Sequence, residues 1–179
     1  SDQAGTLLYD PVADNVSAFS GSIPLKGLLT DEWELYLDNE ETLMLKDAES
    51  FEVNAIDTNV VAFTELDGII YCLTDDGTAQ ALESYDPSVD LSGELASGLS
   101  DMSAQLTAST GKLYTLSDEG IVYAYDPDGT GKAEQVADYR DTSGYNLPEG
   151  TSVIGLQIEG MPGYLNVYAL LEDDELAPD

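Results

Sequence analysis

Residues 111–127 read GKLYTLSDEGIVYAYDP, a stretch in which two short apolar runs flank an acidic turn that ends in glycine. This pattern predicts a β-hairpin, with strands at Leu113–Leu116 and Ile121–Tyr125 joined by the turn Ser117–Gly120. Both faces of the second strand are apolar, with tyrosines on one side and valine and alanine on the other. A sheet of this kind must be covered on both faces, as it is when small sheets stack on one another.

The same pattern occurs 43 residues earlier, where residues 68–87 read GIIYCLTDDGTAQALESYDP. Each copy ends in Tyr-Asp-Pro, at Tyr85–Pro87 and at Tyr125–Pro127. The residues that match at this single offset are Gly68 and Gly111, Tyr71 and Tyr114, Asp75 and Asp118, and Gly77 and Gly120. A fixed offset predicts a repeat architecture, because one such unit cannot bury its apolar faces without a neighbouring unit.

Further strand signals extend this pattern in both directions. The other predicted strands are Val60–Leu66, Ile69–Leu73, Thr78–Leu82, Leu106–Thr110, Val153–Ile158 and Tyr164–Leu171, and Glu34–Leu45 is predicted as a strand, an acidic turn and a second strand. The predicted turns are Asp67–Gly68, Gly160–Gly163 and an acidic turn at Glu172–Asp174.

Two longer segments are predicted as loops. Leu91–Leu106 is expected to be a loop with a helical turn, because Gly93 and Gly98 interrupt its helix formers. Tyr139–Gly150 is expected to be a loop because of its Gly, Pro, Asn and Asp content. Since loops on a rigid scaffold commonly carry binding, these two segments are the expected binding surfaces.

Residues 111–132, GKLYTLSDEGIVYAYDPDGTGK, resemble a blade of a quinoprotein-like (PQQ-like) β-propeller, and the resemblance extends over residues 60–138. Blades of that family carry a tryptophan after the Thr-Gly turn, which docks neighbouring blades. Here residues 132–136 read KAEQV, and the only tryptophan is Trp33. The resemblance therefore implies the blade architecture without the quinone cofactor, and it implies no particular function.

We therefore predict an all-β fold of antiparallel four-stranded meander repeats, arranged as a small or incomplete β-propeller. A β-sandwich built from the same hairpins is the alternative. The expected units are 5–56, 58–100, 104–146 and 151–179, within a single domain that is expected to be a fragment of a longer chain. The repeat offset of 43 residues is similar to the roughly 40–45 residues of a four-stranded blade and gives roughly four units in 179 residues.

The charge of the chain limits its partners. The sequence has 36 acidic and 5 basic residues, for a formal net charge of −31, and the basic residues are scattered singly. This balance excludes nucleic acid and anionic lipid surfaces as partners and leaves a protein, a neutral ligand or a cationic ligand. The alternative explanation of the charge is that it keeps the protein soluble and monomeric.

The sequence suggests an exported protein. No apolar run reaches the ~18 residues of a transmembrane segment. The chain begins SDQAGTLLYD, without an initiator methionine. We expect an extracellular or cell-envelope protein from which a leader or a lipid anchor has been removed.

The residue types argue against catalysis. Histidine, the commonest general base and metal ligand, is absent. The single cysteine, Cys72, lies in the apolar run 69–73 and is predicted to be a small buried hydrophobe. No catalytic residue and no cofactor is assigned.

One segment has the composition of a weak calcium site. Asp126, Asp128 and Thr130 lie in the sequence DPDGTG, and alternating oxygen ligands around a glycine turn can hold Ca²⁺. The spacing of an EF-hand is not met. The alternative is a plain hairpin turn in which Pro127 sets φ and a glycine takes positive φ.

The acidic turns suggest a second type of site. Asp75–Asp76, Asp118–Glu119 and Glu172–Asp174 are expected on one edge of successive units, where they would form an anionic rim for cations or a basic partner. The alternative is that they are simply solvated turns.

These observations predict a non-catalytic binding or scaffold domain that binds a protein or a small ligand through the loops between blades. The alternatives are a carbohydrate-active enzyme with paired carboxylates and a calcium-stabilised surface protein.

Overall fold

The computed structural model describes residues 7–10, 15–18, 27–30, 32–99, 103–129, 133–141, 147, 149–161 and 163–173. The strands in these residues are β1 (Leu7–Asp10), β2 (Asn15–Ala18), β3 (Gly27–Leu29), β4 (Trp33–Leu37), β5 (Leu43–Asp47), β6 (Val53–Asp57), β7 (Val60–Leu66), β8 (Ile69–Asp75), β9 (Gln80–Asp86), β10 (Leu91–Leu99), β11 (Ser103–Ser109), β12 (Lys112–Ser117), β13 (Ile121–Tyr125), β14 (Glu134–Asp138), β15 (Thr151–Met161) and β16 (Tyr164–Asp173). No helix occurs in this part of the chain, and hence none that could cross a membrane.

The strands form five antiparallel sheets, each with its strands in sequence order. We name them sheet I (β1–β2), sheet II (β3–β6), sheet III (β7–β10), sheet IV (β11–β14) and sheet V (β15–β16). Sheets II, III and IV each have four strands, whereas sheets I and V have two. The predicted all-β class with antiparallel sheets is therefore confirmed. Sheet III lies within the expected unit 58–100, whereas sheet IV begins at Ser103, one residue before the expected unit 104–146, and sheet II ends at Asp57, one residue after the expected unit 5–56.

The strands predicted around the quoted repeat are confirmed, except that the strand predicted at Thr78–Leu82 begins at Gln80 and continues to Asp86. The two matching glycines, Gly68 and Gly111, both lie in the turn between the first and second strands of their sheets. Each follows a residue that also has positive φ, at Asp67 (54°) and Thr110 (52°). Two successive positive φ angles characterise the hairpin turn whose twist matches that of the strands. The two Tyr-Asp pairs lie at the ends of the third strands, β9 and β13.

The prediction of a loop over Leu91–Leu106 is wrong. Leu91–Leu99 forms strand β10, which pairs along β9, and Ser103 begins β11. The register of β10 shifts between Glu94 and Ala96 and again between Ala96 and Leu99. Such bulges accommodate glycine, which explains why a glycine-interrupted segment still forms a strand.

The acidic turn predicted at Glu172–Asp174 is also wrong in its described part. Glu172 and Asp173 belong to β16 and pair with Ser152 and Thr151 of β15, while Asp174 lies outside the described residues. The turn predicted at Gly160–Gly163 is shorter than expected, because Gly160 and Met161 still pair with β16. In the second predicted loop, Tyr139–Gly150, the described residues form no strand.

Sheets III and IV pack face to face. Their shared core contains Tyr71, Leu73 and Leu82 from sheet III, and Leu113 and Tyr125 from sheet IV. Leu73, Leu82 and Leu113 have no exposed surface. Leu73 pairs with Leu82 across one sheet and Leu113 with Tyr125 across the other, so register brings these side chains onto the facing surfaces.

The opposite face of each of these sheets is covered as well. Ile70 and Cys72 alternate with the previous side chains along β8 and pack against Trp33 and Leu35 of sheet II. In the same way, Leu116 and Val122 of sheet IV pack against Ile158 of sheet V. Sheets II, III, IV and V therefore form one continuous stack, as expected for sheets that are apolar on both faces.

The first strands of sheets III and IV, β7 and β11, lie close together, and β11 also contacts β15 of sheet V through polar side chains. The Gln105 side chain donates to the carbonyl of Leu156 (2.8 Å) and accepts from the backbone N–H of Ile158 (2.9 Å). Thr107 accepts from the N–H of Gly160 (2.9 Å). Gln105 bonds Leu156 and Ile158, and Thr107 bonds Gly160, so the bonded residues advance along both strands together. The two strands therefore run in the same direction.

A second glutamine makes the same kind of contact within the stack. The Gln80 amide donates to the carbonyl of Ser103 (2.9 Å) and accepts from its N–H (2.7 Å). Both residues are buried. In each case a side-chain amide takes the place of a peptide group, so that backbone groups at a sheet boundary keep hydrogen-bond partners.

Gly160 allows the closest approach between β11 and β15. A Cβ atom at this position would lie 1.9 Å from the carbonyl oxygen of Ala108. We expect Gly160→Ala to lower the free energy of unfolding by about 2–3 kcal/mol, since backbone would have to move. Urea unfolding followed by circular dichroism measures this change.

The matched control is Gly155→Ala on the same strand. There, the nearest atom to an added Cβ is the flexible end of the Leu170 side chain, at 3.3 Å. We expect a change of less than about 1 kcal/mol. Equal effects of the two substitutions would contradict the close packing of β11 on β15.

Candidate functional site

A cleft with a volume of about 1300 Å³ lies between sheets II and III. We call it the carboxylate cleft. It is lined by the β5–β6 turn and strand β6 of sheet II, together with the β7–β8 and β9–β10 turns of sheet III. The cleft is positioned by the stacking of the two sheets, because their shared core ends at its floor.

The floor of the cleft is apolar and aromatic. The residues that line it are Trp33, Leu45, Ile56, Ile69 and Tyr85. All but Ile69 belong to the core between sheets II and III or pack against it, whereas Ile69 packs against the core between sheets III and IV. Trp33 is 8% exposed. Aromatic rings in such a place offer flat apolar surface to a ligand and attract cations through their faces.

The rim of the cleft is acidic. Its carboxylates are Glu32, Asp47, Glu49, Glu52, Asp67, Asp86 and Asp90. No lysine or arginine is among the described residues that line the cleft. Seven carboxylates above a low-dielectric floor focus a negative potential into the opening and favour a positively charged occupant.

Hydrogen bonds hold several rim carboxylates in place. Asp47 accepts from the backbone N–H groups of Glu49 (3.0 Å) and Ser50 (2.6 Å), and these bonds lower its pKa, with the Ser50 contacts contributing most. On the opposite side, the Tyr85 hydroxyl donates to Asp90 (2.9 Å). Burial, followed by this bond, raises the pKa of Tyr85. The rim is therefore preorganised by its own turns.

The nearest basic side chain does not face the cleft. Lys46 follows Leu45 on β5, and its ammonium lies 3.2 Å from Glu34 on the other face of sheet II. It also lies 5.9 Å from the centre of the Phe51 ring. Because successive strand residues point to opposite faces, the Lys46 side chain points away from the face of β5 on which Leu45 lines the cleft.

A separate acidic pair joins sheets II and III. The Glu83 carboxyl on β9 is hydrogen-bonded to Asp57 at the end of β6, and the Thr74 hydroxyl donates to Glu83 (3.3 Å). Burial raises the pKa of Glu83, and the contacts with Asp57 raise it further. The Cys72 thiol lies beside the pair, with its Sγ 3.8 Å from Asp57.

This pair does not have the geometry of a glycosidase. Two directly hydrogen-bonded carboxyl groups lie closer than the ~5 Å that separates the catalytic carboxylates of a retaining enzyme. The contacts with Asp57 instead make the charged form of Glu83 less favourable, because like charges at short range repel each other.

The residues of the predicted calcium site lie after β13. The Asp126 carboxylate is 3.5 Å from the Lys112 ammonium, and Asp128 is exposed. The N–H of Gly129 donates to the carbonyl of Asp126 (3.1 Å), and Gly129 has a φ of 68°. Thr130 lies outside the described residues. The residues therefore form a tight turn here, and calcium binding stays a prediction.

Two of the three predicted acidic turns occupy corresponding places. Asp76 lies in the β8–β9 turn, and Asp118 and Glu119 lie in the β12–β13 turn, so both turns join second to third strands. Glu172 and Asp173 end the second strand of sheet V. The carboxylate cleft uses other turns, at the opposite ends of these strands.

Sequence reasoning missed the cleft. Its carboxylates come from turns about 20 residues apart in sequence, and nothing in a single sequence shows which turns of neighbouring sheets face each other. The sequence did mark one part of the cleft, because the repeated Tyr-Asp-Pro motif at Tyr85–Pro87 lines it.

No group of three or more Asp, Glu, Cys or His residues in the described ranges is placed to hold a metal ion. No protein-family model matches the chain, and a comparison with curated proteins finds no match.

Cys72 is expected to be inert in the folded protein. It is 2% exposed, which confirms the predicted burial, and desolvation together with Asp57 and Glu83 raises its pKa. We expect no reaction with a chromogenic disulfide reagent until urea unfolds the chain. A Ser97→Cys variant supplies an exposed thiol as the positive control, and rapid labelling of Cys72 in the native state would contradict its burial.

Glu83 should make the stability of the protein depend on pH. Its raised pKa means that the folded state binds this proton more tightly, so the stabilisation is present below the ordinary Glu pKa and is lost as pH rises through the raised value. We expect Glu83→Gln to raise the melting temperature at pH 7 by a few degrees and to flatten its pH dependence.

The control for this change is Glu40→Gln, which removes one carboxylate from an exposed turn. It tests whether lowering the net charge alone accounts for the gain. Equal rises in melting temperature for both variants would exclude a specific role for the Glu83–Asp57 pair.

Proposed function

We propose that this chain is part of a non-catalytic binding scaffold that captures a positively charged segment of a partner protein in the carboxylate cleft. The observation that carries the proposal is the combination of seven rim carboxylates, a floor with two aromatic rings and the lack of a lysine or arginine among the described lining residues. A lysine or arginine side chain would satisfy both features, since its charge suits the rim and its stem packs on rings.

We further propose that sheets II, III and IV are blades of a small or incomplete β-propeller, as the resemblance to quinoprotein-like blades implies. The close approach of first strands supports this arrangement, because blades meet at their inner strands and diverge outwards. The cleft is then the wedge between two blades. A β-sandwich would not contain three successive packed sheets, because it consists of two sheets packed on each other.

We also propose that the protein is extracellular or located in the cell envelope. Fractionation of cells that produce the protein, followed by immunoblotting, tests this part.

The single tryptophan provides a direct test of the cleft. Trp33 lies in its floor, so its fluorescence should respond to an oligolysine peptide and saturate as the peptide binds. An oligoglutamate peptide of the same length should leave the signal unchanged. The affinity should fall as salt is added, since screening weakens exposed charge pairs.

Two triple variants separate the cleft from the general charge of the protein. Glu49→Gln, Asp67→Asn and Asp90→Asn remove three rim carboxylates, and we expect the peptide to bind about tenfold more weakly, or ~1.4 kcal/mol. Glu40→Gln, Asp118→Asn and Glu119→Gln remove the same charge from exposed turns elsewhere. Equal losses in both variants would show that net charge alone attracts the peptide and would contradict the proposal.

A further inference from the structure

A second, smaller cavity lies between sheets III and IV and has a volume of about 240 Å³. We call it the outer pocket. Its described lining residues are Ile69, Tyr71, Ser84, Asp86, Leu91, Ser92 and Gly93 of sheet III, and Pro127, which follows β13 of sheet IV. The volume is below that of most small-molecule sites, so the outer pocket suits a single side chain of a larger partner.

The outer pocket offers apolar surface. Tyr71 is nearly fully buried in the core between sheets III and IV, and Ile69 packs against the same core. Leu91, the first residue of β10, is 65% exposed beside them. An apolar side chain placed here would leave water and would remove part of Leu91 from water at the same time.

The outer pocket adjoins the carboxylate cleft. Ile69, Asp86 and Ser92 line both cavities. They lie at the start of β8, the end of β9 and the start of β10, so both cavities are at the same end of sheet III. The cavities open on opposite faces of that sheet, because Tyr85 of the cleft packs towards sheet II and Tyr71 of the outer pocket packs towards sheet IV.

We infer that the basic segment captured by the carboxylate cleft continues across the end of sheet III and buries an apolar side chain in the outer pocket. This inference rests on the proposed function of the cleft and adds to it a sequence that the partner must have. Packed sheets lie about 10 Å apart, and an extended chain advances about 3.3 Å per residue. The partner should therefore carry a basic and an apolar residue about three positions apart.

The charge of the wall between the cavities selects this occupant. Asp86 lies in that wall, and its carboxylate is held by the N–H (2.9 Å) and the hydroxyl (2.6 Å) of Ser88. A carboxylate between the two cavities attracts a basic segment and repels an acidic one. A second copy of this chain, with a formal charge of −31, is disfavoured here for the same reason.

Three short peptides test the inference by titration of the Trp33 fluorescence. The first carries two lysines and a leucine three positions after the second lysine, in a host of glycine and serine. In the second peptide, serine replaces the leucine. We expect the first peptide to bind about tenfold more tightly, because burial of a leucine side chain is favourable by this much or more.

The third peptide has the same composition as the first, but its leucine directly follows the second lysine. It cannot reach both cavities in an extended conformation, and we expect it to bind no more tightly than the serine peptide. Equal affinities of the first and third peptides would mean that the leucine contacts apolar surface at no fixed distance from the cleft, and the inference would fail.

Two substitutions of matched exposure locate the bound leucine. Leu91 lines the outer pocket, whereas Val89 is 63% exposed and lines neither cavity. Leu91→Ser should remove most of the advantage of the first peptide and leave the affinity of the serine peptide unchanged. Val89→Ser should alter neither affinity. Equal effects of the two substitutions would overturn the inference.

Photo-crosslinking shows the position directly and needs no variant of the protein. When a diazirine analogue replaces the leucine of the first peptide, cross-links identified by mass spectrometry should fall on residues 91–93 or on Pro127. Cross-links to sheet II alone would place the leucine in the cleft and would contradict the inference.

Failure of the inference and failure of the proposed function give different results. If the serine peptide binds and the leucine adds nothing, the outer pocket is not used, and the capture of basic segments by the cleft stands. If neither peptide binds by fluorescence or by calorimetry, the proposed function fails and the inference fails with it.

Discussion

The structure depends on the burial of sheets that are apolar on both faces. β8 shows this most clearly, because Ile70 and Cys72 pack towards sheet II while Tyr71 and Leu73 pack towards sheet IV. Four successive residues are nearly fully buried although they point in alternate directions. Neither face could be left in water without losing the main favourable contribution to folding. The stack of sheets is the only arrangement that covers both.

At the boundaries between stacked sheets, backbone N–H and C=O groups need hydrogen-bond partners, and polar side chains of the neighbouring sheet supply them. Where β11 meets β15, the backbone N–H and C=O groups of β15 are partly buried and need hydrogen-bond partners. The side chains of Gln105 and Thr107 provide them. Gln80 does the same for Ser103. These contacts are directional, whereas apolar packing is not, and they set the position of each sheet along its neighbour.

The distribution of acidic residues follows from the same stack. Many of the described carboxylates lie in turns at the sheet ends, where water and the N–H groups of the turn stabilise them, as at Asp38 and Asp76. Where sheets II and III diverge, the turns of both face a single space and their charges accumulate there. The Glu83–Asp57 pair shows the opposite case, since partial burial between the sheets, followed by the contacts with Asp57, raises the pKa of Glu83.

Local sequence determined the class of structure and most of its elements. Alternating apolar residues with Asp-Gly and acidic-Gly turns suffice for hairpins, because these signals act within a few residues, and strands β7, β8, β12 and β13 were predicted on that basis. β10 was missed because its pairing with β9 overrides the glycines that interrupt it. Tertiary structure alone decided that turns from two sheets meet in the carboxylate cleft and that Glu83 faces Asp57. Each of these depends on which sheet lies beside which, and contacts between residues distant in sequence leave no periodic signal in a single chain.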